Sequence, residues 1–376
     1  MTTHRIGIIA DSTRTRPYGH NIHTAWNGLP NVEVVALADP DATVHAARAA
    51  ECHAARTYTD YRAMLAAEHP DFVSICPHYY DLHAQWMLDA IAAGVKGIYI
   101  EKPMTRTLAE ADAVIAAAER SGAKIAVAHQ WGRFRHSVVA ARQWIHDGRI
   151  GELRQLRGHG KCDARGGAHD LFVLGTHVLD LMRSIAGDVA WATGHVRKAG
   201  REVTVEDIGD GAEGIGPLAG DAVQGCYAFR SGVTASFESY VHPAGAVETV
   251  GLEVWGTEGA ISIRNGGQEI AVYPKPALRP ADGTPQWETY AIPILGRDGT
   301  ALQGAAGGHR LNQLAVEDLI AAWEHGREPY ASARAATAAL EMAMAIFEGE
   351  RTQRRVSFPM TTRENPFAVW LASGRA

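Results

Sequence analysis

The segment GIYIEKPMTRTLAEADAVIAAAERSGAKIAVA, residues 97–128, joins two short β-branched runs through one helix-length stretch. The flanking runs, GIYIE and KIAVA, are apolar on both faces, as the strands of a buried parallel sheet require. Between them, Thr107 and Glu110 have the T-x-x-E spacing of a capping box, and Gly122 supplies a stop signal. The segment therefore predicts one strand–helix–strand unit.

The same alternation extends towards the N-terminus. Similar runs occur at RIGIIA (5–10), VEVVALA (32–38) and FVSIC (72–76), and a helical pattern follows at 80–94. Strands that alternate with helices through right-handed crossovers form a doubly wound parallel sheet, whose ligands bind at the carboxyl ends of the strands. We therefore expect an α/β fold with a dinucleotide-binding type of sheet at its N-terminal end.

Composition narrows the functional classes. A chain of 376 residues is long enough for two domains. A net charge of −6, without a block of Lys or Arg, argues against nucleic acid or anionic membrane as the main partner. No apolar run is long enough to span a membrane, and the first residues lack the layout of a signal peptide.

The cysteines and histidines carry two further expectations. The four cysteines are scattered without a C-x-x-C pair, which is typical of reduced thiols, so we expect a cytoplasmic protein. No H-E-x-x-H motif or Cys/His cluster is present, and we therefore predict no metal site.

The turn after the first strand departs from the dinucleotide fingerprint G-x-G-x-x-G. Ala10 and Ser12 occupy the first two glycine positions, and Gly19 follows four residues later than the fingerprint expects. In the fingerprint, the glycines let the backbone approach a pyrophosphate at a helix N-terminus. Arg14 and Arg16, in the added segment, are candidates to bind a phosphate of the cofactor. The predicted cofactor contacts of this turn are Ala10, Ser12 and Thr13. A plain strand–turn–helix without cofactor is the alternative.

Asp39 ends the second strand, where a carboxylate accepts a hydrogen bond from a ribose 2′-hydroxyl. The same charge repels a 2′-phosphate, so Asp39 favours NAD over NADP. Asp39 and Asp41 can instead cap the next helix, and the two interpretations are compatible if Asp41 is the cap.

Longer motifs follow in a fixed order along most of the chain. They are VVALADPD (34–41), YTDYRAML (58–65), CPHYYDLHAQWMLDAIAAG (76–94), EKP (101–103), QWGRFRHS (130–137), DGRIGEL (147–153), GTHVLDLMRSIAG (175–187) and EVWGTEGAISI (253–263). In this order and spacing the chain resembles the glucose–fructose oxidoreductase and inositol dehydrogenase family, often called Gfo/Idh/MocA. The resemblance implies an N-terminal Rossmann domain, residues 1–128, and a C-terminal α/β domain, residues 129–376, built on a large, mostly antiparallel open sheet.

Strand-like runs fit this second sheet. They occur at 152–160, 190–198, 222–230, 233–241, 247–255 and 259–264. The stretch GDGAEGIGPLAGD, 209–221, is typical of an irregular, mobile loop. Helices over 309–325 and 332–350 are expected to pack on this sheet or on the first domain. The exposed sheet face commonly pairs with another subunit in the family, which implies a homodimer or homotetramer.

The resemblance also implies roles for single residues. Lys102 would face the nicotinamide and the substrate hydroxyl, where a cation stabilises a developing alkoxide, and Glu101 would orient the lysine or the cofactor ribose. His177 would be the general base, and Asp180 lies one helical turn later, where it can set the imidazole tautomer. A solvated surface lysine and a buried structural histidine are the alternatives.

One departure from the family weakens this scheme. Members carry an aspartate four residues before the histidine, where this chain has Val173. Asp170, a candidate catalytic residue two helical turns before the histidine on the same face, and its neighbour His169 are candidates to contact a different part of the substrate pocket. Lys161 and Asp163 are further candidates for substrate contact.

Two loops complete the candidate site. The stretch CPHYYDLH matches a family loop at the nicotinamide end of the cofactor, and its matching residues are Cys76, Pro77, His78 and His83. Gln130 and Arg133 open the second domain and are candidate substrate contacts, with packing roles equally open.

Three functions are consistent with these residues. The first is an NAD-dependent oxidoreductase that acts on a secondary hydroxyl of a sugar, polyol or related cyclic alcohol. The second is a redox-neutral enzyme that oxidises a sugar transiently with bound NAD, eliminates a leaving group and returns the hydride. The third is a sugar-sensing protein without turnover.

Overall fold

The computed structural model describes residues 3–15, 17–242, 250–274 and 286–374. The strands are β1 His4–Ile9, β2 Val32–Ala38, β3 Arg56–Tyr58, β4 Phe72–Ile75, β5 Gly97–Ile100, β6 Lys124–Val127, β7 Leu153–His159, β8 Val189–Lys198, β9 Arg201–Glu202, β10 Gly209–Gly211, β11 Gly216–Leu218, β12 Ala222–Phe229, β13 Thr234–Tyr240, β14 Gly251–Gly256, β15 Ala260–Arg264, β16 Glu269–Tyr273, β17 Glu288–Tyr290, β18 Ile294–Leu295, β19 Ala301–Leu302 and β20 Val356–Ser357. The helices are α1 His45–Cys52, α2 Tyr61–Glu68, α3 His83–Ala92, α4 Leu108–Ser121, α5 Gln130–Phe134, α6 His136–His146, α7 Ala168–Asp170, α8 Thr176–Ala186, α9 Gly304–Glu324, α10 Ala333–Thr352 and α11 Pro366–Ser373.

The chain divides into two units, each with its own core. The first comprises Met1–Gln130, Glu213–Ile215 and Leu295–Thr337, and the second comprises Trp131–Ala212, Gly216–Ile294 and Ala338–Ala376. No helix in the described ranges is both long and apolar enough to cross a bilayer.

The first unit contains the predicted parallel sheet. Its strand order is β3-β2-β1-β4-β5-β6, and every neighbouring pair is parallel. The central strands are fully buried because α2, α3 and α4 pack over one face and close an apolar core, while α9 and Trp26 pack over the other face. The doubly wound fold is therefore confirmed. β3 was not predicted, because its three residues form a short edge strand without an apolar run.

Two local predictions in this unit need correction. The Thr107 hydroxyl caps α4 by accepting from Glu110 N at 3.1 Å, but the Glu110 carboxylate accepts from Arg106 N instead of closing a capping box. The connection from β1 to β2 contains, among its described residues, a 3₁₀ turn at Ile22–Thr24 and no α-helix. It packs on the sheet through the buried Trp26.

The second unit is built on the mostly antiparallel sheet that was expected. Its order is β17-β16-β15-β14-β7-β13-β12-β8-β20, with β9 beside β8, and β7 with β13 is its parallel pair. α8 covers one face so closely that a Cβ at Gly158 would overlap Met182. The run predicted over 247–255 begins outside the described residues, and β14 forms the rest. The prediction of an irregular loop over 209–221 is wrong for β10 and β11, which pair as an antiparallel hairpin.

Candidate active site

The carboxyl ends of four neighbouring strands bring the predicted cofactor residues of the first unit to one edge of its sheet. Ala10 follows β1, Asp39 follows β2, Cys76 follows β4 and Glu101 follows β5. Parallel strands that lie side by side place their carboxyl ends together, which is where ligands of such sheets bind. No group of three or more His, Cys, Asp or Glu side chains suited to a metal ion occurs in the described ranges.

Asp39 holds the turn after β1. Its fully buried carboxylate accepts from Ser12 N at 3.0 Å and from Asp41 N at 3.0 Å. The Thr13 N–H donates to Asp11 Oδ1 at 3.2 Å. In a glycine-rich turn, such backbone N–H groups would face a phosphate. Here the N–H groups of Ser12 and Thr13 donate to the carboxylates of Asp39 and Asp11 instead. The Ser12 hydroxyl is buried and has no hydrogen-bond partner among the described residues.

Asp41 is a cap, as the compatible interpretation allowed. Its carboxylate accepts from Thr43 N at 2.9 Å at the start of a 3₁₀ turn that leads into α1. Arg14, a phosphate candidate, is held by two acids, since it lies 3.0 Å from Asp81 and 3.4 Å from Asp11. The other candidate, Arg16, lies outside the described residues.

Lys102 is buried, with 2% of its surface exposed, so the interpretation as a solvated surface lysine is wrong. It follows Glu101 at the end of β5 and precedes Pro103 through a cis peptide bond. Its N–H donates to the Glu101 carboxylate at 3.2 Å. The lysine therefore lies at the sheet edge with a buried carboxylate directly behind its backbone.

Glu101 is a fully buried acid that remains ionised. Its carboxylate accepts from His20 N and lies 2.8 Å from His20 Nδ1. Burial alone would raise the pKa of this carboxyl, but the neighbouring charges of His20 and Lys102 outweigh it and lower the pKa to about 2.

His83 lies between two loops of the site. Its ring nitrogens are 3.0 Å from the Pro103 carbonyl oxygen and 2.9 Å from the Pro77 carbonyl oxygen. Burial lowers the pKa of the imidazole, although both carbonyls oppose that shift. The side chain is fully buried, so His83 links the loop at Pro77 to the loop at Pro103 from the protein interior.

The loop after β4 also meets a residue from far along the chain. His78 Nε2 lies 3.0 Å from Glu213 Oε2, without the alignment of a hydrogen bond, and Tyr80 Oη donates to the same oxygen at 3.1 Å. Cys76 is fully buried, and burial raises the pKa of its thiol. Glu213 was not predicted, because it lies 133 residues after Tyr80 in a glycine-rich stretch.

The second unit holds the predicted base. His177 is buried in the first turn of α8, and its ring centroid is 5.4 Å from that of Trp131. Asp180, one turn later, accepts two hydrogen bonds from Arg133, at 2.7 Å and 2.5 Å. Gln130, which was grouped with Arg133 by sequence, belongs to the first unit.

Asp170 anchors the loop before α7. Its Oδ2 accepts from Ser239 Oγ at 2.6 Å and from Cys162 N at 3.1 Å. Its Oδ1 is buried without a partner in the described ranges, and burial raises the pKa of the carboxyl. A π turn over Leu171–Gly175 separates Asp170 from His177, so the prediction that both lie on one α-helical face is wrong.

The remaining substrate candidates lie in or next to that loop. Lys161 Nζ is 3.7 Å from Asp163 Oδ2, and Arg165 donates to the same carboxylate at 2.7 Å. The hydrogen bond with Arg165 lowers the pKa of Asp163 to about 2. His169 is half-buried beside Asp170, and Val173 is buried within the π turn.

Comparison with known families gives two matches to one family. Residues 13–129 match the model for an oxidoreductase family with an NAD-binding Rossmann fold, GFO/IDH/MocA. Residues 138–262 match the GFO/IDH/MocA C-terminal domain.

Individual relatives are more distant. D-apiose dehydrogenase of Paraburkholderia graminis is 31% identical over 201 residues, which cover 51% of this chain and 53% of that protein. The alignment thus spans about half the length of that relative. The 1,5-anhydro-D-fructose reductase of Ensifer adhaerens is 29% identical over 278 residues, or 69% of this chain and 76% of that protein.

Solved structures share the fold. An oxidoreductase domain protein from Kribbella flavida superposes with a TM-score of 0.75 at 22% identity, covering 96% of this chain and 100% of that one. Levoglucosan dehydrogenase in complex with NADH and levoglucosan gives a TM-score of 0.72 at 20% identity, with coverages of 96% and 100%.

Proposed function

Because the chain belongs to the GFO/IDH/MocA family of NAD-binding oxidoreductases, we propose that it transfers a hydride between nicotinamide and the carbon of a secondary hydroxyl. The proposed substrate is a sugar, a polyol or a related cyclic alcohol. The observation that carries the proposal is the burial of Lys102 at the carboxyl end of β5, directly beside the ionised Glu101. The similarity to a D-apiose dehydrogenase and a 1,5-anhydro-D-fructose reductase supports a carbohydrate substrate.

The turn after β1 fits a dinucleotide at two points. The buried Ser12 hydroxyl has no partner in the described part of the chain and can donate to a phosphate oxygen. The Asp39 carboxylate has capacity to accept from a ribose hydroxyl beyond the two N–H groups that it binds, and its charge disfavours a 2′-phosphate. We therefore propose NAD, in preference to NADP, as the cofactor.

When bound, NAD supplies a hydride acceptor at C4 of its nicotinamide. The Lys102 ammonium group would donate to the substrate oxygen and stabilise the negative charge that develops there. His177 would accept the hydroxyl proton at a ring nitrogen. His83 and Asp170 would act as positioning residues, since each holds a loop that carries candidate contact residues.

Titration of the purified protein with NAD, NADH and NADP, followed by tryptophan quenching, tests the cofactor. A panel of sugars and polyols with NAD then tests the reaction. We expect NADH to bind more tightly than NADP and at least one secondary alcohol to produce NADH. If the folded protein binds none of the three nucleotides, the proposal is wrong.

A redox-neutral reaction is the second candidate. One buried oxygen of Asp170 has no partner among the described residues, and burial raises the pKa of this carboxyl, which favours the protonated form that a general acid requires. Val173 replaces the acid that the resemblance implies. NADH release in a 1:1 ratio to product would exclude this candidate, whereas substrate cleavage with retained NAD would favour it.

We further propose that the outer face of the second sheet joins subunits into a homodimer or homotetramer. The strand register aligns small and polar residues in one row across this face, Thr193, Cys226, Ser236, Arg157, Glu253 and Ser262. Trp255 lies on the same side beneath Arg157, and its indole N–H has no partner in the described ranges. Sedimentation should show an oligomer that dissociates in Ser236→Arg; a monomeric parent protein would contradict the proposal.

A further inference from the structure

The added loop after β1 ends on the carboxylate of Glu101. Both the backbone N–H and the Nδ1 of His20 contact this carboxylate, with Nδ1 at 2.8 Å. The third contact comes from Lys102 N, at 3.2 Å. One fully buried carboxylate therefore joins the loop to the backbone of the lysine.

The close approach between Gly19 and Glu101 explains why a glycine occurs at this late position in the loop. A Cβ at this position would overlap the Glu101 carboxyl group. The close approach that requires glycine is thus to a protein carboxylate. Any side chain at position 19 would push His20 away from Glu101.

His20 is also held from the side of α9. Asn312 Nδ2 donates to the His20 carbonyl oxygen at 2.8 Å, and Asn312 Oδ1 accepts from Tyr99 Oη at 2.9 Å. Tyr99 lies in β5, two residues before Glu101. The backbone and the imidazole of His20 are therefore fixed relative to the strand that ends at Lys102.

We propose that His20 is a positioning residue for Lys102. His20 holds the Glu101 carboxylate against the Lys102 N–H. The position of the lysine therefore depends on the added loop after β1 being in place. The inference rests on the proposed function, which assigns Lys102 to the substrate oxygen. The contrasting view is that Glu101 and His20 only stabilise the fold, and in that case their loss would leave the lysine unchanged in the folded molecules.

Three variants separate the two views. His20→Leu removes the donor to Glu101, whereas His20→Asn keeps an N–H donor at the position of Nδ1. Glu101→Gln leaves a side chain of the same shape without charge. His309→Leu, which removes an imidazole of α9 in the same unit, is the matched control.

The first measurement does not depend on activity. The protein is treated with an amine-reactive reagent, and labelling of Lys102 relative to the more exposed Lys198 is read by mass spectrometry. We expect Lys102 labelling to rise by about tenfold in His20→Leu and Glu101→Gln, because a charge-assisted hydrogen bond that restrains the turn is lost. His20→Asn and His309→Leu should stay near the parent value. Equal labelling in all variants would overturn the proposal.

Kinetics supply the second readout. In His20→Leu, kcat should fall by about 10- to 100-fold while the KM for the sugar stays nearly constant, and His20→Asn should restore most of kcat. Normalising to NADH-binding sites removes the effect of unfolded protein. A loss of binding sites with unchanged kcat per site would show a structural role only. If the parent protein is inactive, the proposed function fails, and the labelling experiment still decides the role of His20.

Discussion

Arg133 donates from Nε and Nη2 to the two carboxylate oxygens of Asp180, and the two side chains are 7% and 1% exposed. Sequence reasoning assigned Arg133 to the substrate and Asp180 to His177. The structure joins the two residues in a buried bidentate ion pair, next to the helix turn that carries His177.

Breaking this pair should destabilise the protein. Asp180→Asn removes the carboxylate charge that pairs with the buried Arg133 guanidinium, which costs about 3–5 kcal/mol. We expect this loss in the free energy of unfolding measured with urea. The double variant Arg133→Met with Asp180→Leu should be more stable than Asp180→Asn, because neither charge remains. Unfolding curves that coincide for parent and Asp180→Asn would contradict a stabilising pair.

Lys102 should matter for turnover and little for the fold. Lys102→Ala removes the cation proposed to stabilise the substrate oxygen, and we expect kcat to fall by about 100- to 1,000-fold. Tryptophan quenching should still report NADH binding. Lys96→Ala, which removes a half-buried ion pair between the residue just before β5 and Asp71, is the control and should remain active. Full activity of Lys102→Ala would remove the lysine from the mechanism.

Asp39 should set the choice between the two nucleotides. Asp39→Asn removes the charge that repels a 2′-phosphate, so the preference for NAD over NADP should drop by about tenfold. Dissociation constants for both nucleotides measure this ratio. Asp41→Asn changes the neighbouring cap and should leave the ratio unaltered. An unchanged ratio in Asp39→Asn would show that Asp39 does not set the preference for NAD over NADP.

His23 should make stability depend on pH. Its ring stacks on Tyr18 at 3.9 Å, and burial lowers its pKa from 6.5 to about 4. At pH 7.5 and above, the imidazole is largely neutral in both folded and unfolded chains. As the pH falls from 6.5 towards 4, the unfolded chain takes up the proton first, and stability decreases by about 2 kcal/mol at pH 5.

Urea unfolding at pH 7.5 and pH 5 checks this effect. His23→Phe keeps a stacked ring without a titrating group, so its loss of stability should be smaller than that of the parent. It should not vanish, because burial also lowers the pKa of His83. His146→Gln, at a mostly exposed position, should behave as the parent. The same pH dependence in His23→Phe and parent would refute the assignment.

Several features could be read from the chain because each depends on neighbouring residues. The buried runs at 5–10, 32–38, 72–76, 97–101 and 124–128 match β1, β2, β4, β5 and β6 to within one residue, since a strand buried on both faces must be continuously apolar. The burial of Asp39 and Lys102 at strand ends follows from the same pattern, because the carboxyl ends of parallel strands meet at one edge.

Other features lie beyond any local pattern. The edge strand β3 and the hairpin of β10 and β11 lack apolar runs, and pairing with a neighbouring strand defines them. The π turn before His177 has more residues per turn than an α-helix. Asp170 and His177 are therefore not on the common face that an α-helical period predicts.

The sequence by itself determined the parallel sheet, the family and the positions of Asp39, Lys102 and His177 in their elements, because apolar periodicity and short motifs act over neighbouring residues. Only the tertiary structure decided which charges meet. Arg133 pairs with Asp180 across 47 residues, and His20 pairs with Glu101 across 81. A buried charge requires a partner, and the fold selects that partner by distance in space, which the spacing of residues along the chain does not encode.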